Sequence, residues 1–139
     1  MEIIFISERI FMKHAIITCA SQNILHELVP LLNSIDFFNH TCDVIVFYKN
    51  FPEKIIKKLQ SVEWTFNLIF HPLEYSTKEF KSLKGGICTA RWGHVAKYGL
   101  EYDSVVLLDA DMVLTSNIDD MLSLSSLKYI LGVRGGIWI

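Results

Sequence analysis

The chain has 139 residues, 51% of them hydrophobic, and a formal net charge of −2. That length lies in the usual range of one domain and allows roughly two thirds of the unfolded surface to be buried, so disorder is excluded on composition. The slight negative charge gives no overall basic field for nucleic acid, and an anionic ligand would have to be held by a local site.

Three cysteines, Cys19, Cys42 and Cys88, are odd in number and far apart, with no CxxC spacing to suggest zinc or a redox pair. They fit a reducing compartment. The opening MEIIFISERIFMKH is apolar, but Glu2, Glu8 and Arg9 interrupt it, unlike a signal peptide. No run reaches the roughly 18 apolar residues of a membrane span. The expectation is a soluble, cytoplasmic chain forming a single domain over 1–139.

In chain order, His14–Ser21 is a near-continuous apolar run of the kind buried on both faces of a parallel sheet. Leu25, Leu28, Val29, Leu32 and Ile35 then recur at helical spacing. Pro30 falls among them and predicts a kink, or a helix that starts near Val29. A second strand is predicted at Asp43–Tyr48, after which Pro52 opens a short helix carrying Ile55, Ile56 and Leu59. Trp64–Pro72 reads as a third strand and 73–88 as loop. Thr89 is placed to cap a helix with Trp92, Val95, Ala96 and Gly99 toward the core and Arg91, His94 and Tyr98 on another face.

Asp103–Leu108 reads as a buried strand running into Asp109-Ala110-Asp111, with Met112, Val113 and Leu114 apolar beyond it. Asn117 caps a helical turn through Leu122, and a last strand is predicted over Tyr129–Val133. Strands alternating with helices, without repeat or linker, imply one α/β domain with a mostly parallel sheet flanked by helices. Ligands of such sheets sit at the carboxyl ends of the strands. A dehydrogenase of the dinucleotide-binding kind is disfavoured, because Gly85-Gly86 and Gly135-Gly136 are isolated pairs and no G-x-G-x-x-G is present.

The bare tripeptide D-x-D is common and usually caps a surface turn. Here the apolar residues on both sides argue that the two acids are not both idle solvated charges, and where a buried strand ends unpaired charge costs several kcal/mol. A hard divalent cation, Mn2+ or Mg2+, would offset that cost, taking one or two carboxylates and completing its shell with phosphate oxygens and water. Asp119 and Asp120 suit a helix amino end instead. Trp64, Trp92 and Trp138 read as packing residues, and His14, His26, His40 and His71 have no ligand spacing between them.

The segment EYDSVVLLDADMVLTSNIDDML, Glu101–Leu122, resembles the central signature of glycosyltransferase family 8 and its glycogenin-like relatives. More loosely, the resemblance runs from His14 to Val133. It implies a Rossmann-like GT-A nucleotide-diphospho-sugar transferase fold, and transfer of a hexose from a UDP-sugar donor to a hydroxyl-bearing acceptor, a sugar or a protein. It also implies that Asp109 and Asp111 bind the metal and that Ala110 lies against the donor ribose. Thr18, Cys19, Ala20 and Ser21 match the segment that holds base and ribose, and Arg91 stands near the basic residue that grips the diphosphate. The family's base-stacking aromatic is replaced by Ile24 or a neighbour, and its usual aspartate by Gln22, which leaves the base open. Family members continue into an acceptor-binding half with a distal metal-binding histidine, so the expectation is the N-terminal, donor-binding half of such an enzyme.

Two other readings stay open: a phosphatase of the haloacid dehalogenase class, which shares a hydrophobic D-x-D but carries it near the chain start, and a non-catalytic nucleotide-sugar-binding fragment. The sequence suggests neither a nucleic-acid partner nor a membrane span, and leaves self-association into a homo-oligomer open.

Overall fold

The structure is a computed structural model that describes residues 13–73, 95, 97 and 101–123. The elements in chain order are β1 (His14–Ser21), α1 (Leu25–Phe37), β2 (Asp43–Lys49), α2 (Glu53–Gln60), β3 (Asn67–Pro72), β4 (Ser104–Leu107) and α3 (Asp119–Ser123). A short 3-10 turn, Gln22–Ile24, leads from β1 into α1.

The four strands form one sheet in the order β3-β2-β1-β4, and every pairing is parallel. The apolar runs in β1 and β2 follow from their central place, since both faces are covered. Ile16, Ala20, Val44 and Val46 face α1, where Leu28, Leu31, Leu32 and Ile35 are fully buried. Ala15, Ile17, Ile45 and Phe47 form the core of the opposite face with Leu73, and Val95 packs there too. Burying each such Ile, Leu or Phe side chain contributes about 1.5–3 kcal/mol.

Helix α1 runs without a break from Leu25 through Pro30, so the helix does not wait for Val29. Pro30 is exposed, and it has no N–H to donate to the carbonyl one turn back. The helix ends at a residue with positive φ: Asn39, at φ 60°, donates to Asp36 O at 3.0 Å while His40 N donates to Ile35 O at 3.3 Å. This pair of reversed bonds is a Schellman stop, and asparagine tolerates the left-handed conformation it needs.

Strand β3 begins at Asn67 rather than Trp64. The three residues before it are engaged elsewhere. Trp64 Nε1 donates to Leu59 O at the end of α2, Thr65 N to Asp36 Oδ1, and Thr65 Oγ1 to His40 O, while Phe66 is buried in the α1-side core and stacked on Trp64. The predicted loop over 73–88, apart from Leu73, the helix from Thr89, apart from Val95 and Lys97, and the strand Tyr129–Val133 lie outside the described residues.

Candidate functional site

Strand β1 is where the order of connection reverses: the chain steps outward from β1 through β2 to β3, then returns to add β4 on the other side of β1. Such a switch point opens a crevice at the carboxyl ends of the two strands. Strand β1 also outruns β4. Its register with β4 ends at Ile17↔Leu107, whereas Thr18–Ser21 continue in register with Val46–Lys49 of β2.

At this end of β4, Leu108 N donates to Ile17 O at 2.9 Å, and the chain then turns through Asp109-Ala110-Asp111. The turn is closed by Met112 N donating to Asp109 O at 3.0 Å. Ala110 is 4% exposed and packs into the α1-side core, while Asp109 and Asp111 on either side of it are exposed. The expectation of costly buried charge at this strand end is therefore corrected. The apolar residues that prompted it, Met112 and Val113, are themselves 40% and 56% exposed. Buried charge is no reason for a counter-ion here. What the turn provides is two oxygen donors, one residue apart, held in water at the switch point by the buried Ala110 between them.

Downstream, the chain is tied to the end of α1. Leu114 N donates to Ser34 Oγ at 2.9 Å, Asn117 Nδ2 to Phe38 O at 2.7 Å, and Ile118 N to His40 Nε2 at 3.0 Å. Asn117 Oδ1 accepts from Asp119 N at 2.7 Å and so caps α3, as its sequence position predicts.

The β1 segment opposite the turn is enclosed to different degrees. Thr18 is fully buried and its hydroxyl has no hydrogen-bond partner among the described residues, and Ala20 is 2% exposed. Cys19 is half-buried on the other sheet face, and half-buried Ser21 donates its hydroxyl to Asn23 Oδ1. Gln22 is exposed, whereas Ile24 turns into the α1-side core. Arg91 lies outside the described residues. The structure thus brings the end of β1 beside the 109–111 turn. Among the described residues, no group of three or more His, Cys, Asp or Glu side chains gathers in a way that could hold a metal ion.

Neither a protein-family model nor a curated protein sequence matches the chain. Solved structures do. The crystal structure of the glycosyltransferase GlyE of Streptococcus pneumoniae TIGR4 matches 79% of this chain with a TM-score of 0.61 at 16% identity, and its apo form matches 80% with the same score and identity. Over that span the chain has the fold of a glycosyltransferase. S. aureus TarS aligns with 84% of the chain and 20% of its own length, at 17% identity and a TM-score of 0.49. The chain spans about a quarter of the length of GlyE, 26%, so the likeness is one of fold over part of that enzyme. Within the described residues, no helix is long and apolar enough to cross a membrane.

Proposed function

We propose that the chain is the donor-binding part of a metal-dependent glycosyltransferase that takes a hexose from a UDP-sugar and delivers it to a hydroxyl acceptor. The observation that carries the reading is the placement of Asp109-Ala110-Asp111 at the β1/β4 switch point of a sheet that shares its fold with glycosyltransferases. The glycogenin-like pattern of Glu101–Leu122, of which that turn is part, also supports it.

The donor set suits Mn2+ or Mg2+: two exposed carboxylates supply hard oxygen ligands and leave room for diphosphate oxygens and water. A cation bound there would neutralise charge on the departing diphosphate. Asp109 and Asp111 would hold it from the two ends of one tight turn. Opposite them, the side chains of Thr18 and Ala20 are enclosed, so a nucleotide would meet the backbone of Thr18–Ser21 and the half-buried Cys19 and Ser21. Arg91 is proposed to contact the diphosphate.

Calorimetric titration of UDP into the chain, with and without Mn2+ and beside Asp109→Ala, tests this. Binding that needs both the metal and Asp109 supports the donor site, and subsequent transfer or hydrolysis of a UDP-hexose would establish turnover. Metal-dependent binding without turnover would mark a binding fragment. Absence of UDP binding under every condition would overturn the reading and leave the phosphatase to be tested with a phosphomonoester.

A further inference from the structure

The two polar side chains buried at the end of α1, Ser34 and His40, have the same hydrogen-bonding design. Ser34 is 7% exposed and His40 0%. Ser34 Oγ donates to Leu31 O at 2.7 Å within the helix and accepts from Leu114 N–H at 2.9 Å. His40 Nδ1 bonds to Ile35 O at 2.9 Å, and its Nε2 faces Ile118 N at 3.0 Å. A backbone N–H can only donate, so Nε2 accepts and Nδ1 carries the proton. Each side chain therefore donates into the helix and accepts a backbone N–H from the segment that follows Asp111.

This arrangement fixes both side chains. Ser34 is held by Leu31, and His40 occupies the position just past the Schellman stop, with its backbone N–H and its ring both on Ile35 O. Two buried polar groups among leucines and isoleucines stabilise the core less than apolar ones would unless their partners matter, because each is costly once a partner is lost. Their partners, Leu114 and Ile118, lie a few residues beyond Asp111, while Leu108 N on Ile17 O holds the chain just before Asp109. The turn is clamped from both sides.

We propose that Ser34 and His40 are positioning residues that set the spacing of the Asp109 and Asp111 carboxylates, and through it the affinity for a divalent cation. The part concerning the cation rests on the functional reading above; the clamping of the turn does not. Ser34→Ala, His40→Gln and His40→Phe separate the roles, glutamine offering a donor and an acceptor where phenylalanine offers neither. Tyr102→Phe, which removes a hydrogen bond to Asp43 Oδ2 on the far end of the sheet, serves as the control for general loss of stability.

Two readouts are needed: amide hydrogen exchange at 110–114, and the Mn2+ dissociation constant by electron paramagnetic resonance in the presence of UDP. Ser34→Ala and His40→Phe are expected to speed exchange at 110–114 and weaken Mn2+ binding by about tenfold or more, as loss of a residue supporting a metal ligand typically does, with partial rescue by His40→Gln. Tyr102→Phe should change neither. If Ser34→Ala shifts both readouts no more than Tyr102→Phe does, the positioning role is overturned. If the unmodified chain binds no Mn2+ with UDP, the functional reading fails, and exchange at 110–114 alone decides whether the clamp exists.

Discussion

Thr18→Val is expected to stabilise the free chain. Thr18 sits in a central strand, is fully buried, and its Oγ1 has no hydrogen-bond partner among the described residues. A buried hydroxyl without a partner costs about 1–3 kcal/mol in lost hydration. Valine has nearly the same shape, keeps the β-branch that strands favour, and puts a methyl in place of the hydroxyl on the strand face that carries Ile16 and Ala20. The gain should therefore be about 1–3 kcal/mol. At about 2.1 cal/mol/K per residue, the unfolding entropy of 139 residues is about 0.3 kcal/mol/K, so the melting midpoint should rise by about 3–10 °C. Urea denaturation followed by circular dichroism measures this, with the midpoint rising and the slope unchanged. A lower midpoint would refute the reasoning, because it would mean that the hydroxyl is satisfied in the folded chain. UDP affinity should not change, since the side chain is enclosed.

Tyr102→Phe should cost about 1–2 kcal/mol in urea denaturation, because Tyr102 Oη donates to the Asp43 carboxylate at 2.7 Å at the far end of the sheet. The Cys42 thiol is pushed up to about 11 from 9.0, first by burial and then by the charge of Asp119, so at pH 8 it should be alkylated about 100-fold more slowly than an unshifted thiol. The same shift makes stability insensitive to Cys42 below about pH 9 and lowers it between about 9 and 11, where the unfolded thiol ionises first. Cys42→Ala should remove that part of the pH dependence, and an unchanged profile would contradict it. Asp111→Ala should abolish Mn2+-dependent UDP binding while leaving the unfolding free energy from urea denaturation within about 0.5 kcal/mol, as expected for an exposed carboxylate.

The central strands were legible because burial on both faces leaves only one kind of sequence: His14–Ser21 and Asp43–Lys49 are nearly unbroken apolar runs. The strand running into Asp109 was legible as an apolar run, but the exposed turn through 109–111 was not, because the apolar residues around it read as core. What the sequence concealed was non-local. Trp64, Thr65 and Phe66 have strand-forming side chains, yet contacts to Leu59, Asp36 and His40 draw them out of the sheet. Nothing in the sequence singles out Ser34, and His40 has no ligand spacing to the other histidines, since partners 78 to 80 residues away leave no periodic trace. The exposure of both carboxylates was hidden for the opposite reason: Met112 and Val113 are apolar but lie in water.

The claim that a nucleotide diphosphate sits on Asp109 and Asp111 at the β1/β4 switch point is tested most directly by paramagnetic broadening of backbone amide resonances on addition of Mn2+ and UDP. Amides of 18–21 and 108–112 should broaden first, and those of Asp43, Asn67 and Ser104 at the opposite ends of the strands should persist. Broadening centred on those far ends, or none at saturating UDP, would contradict the claim.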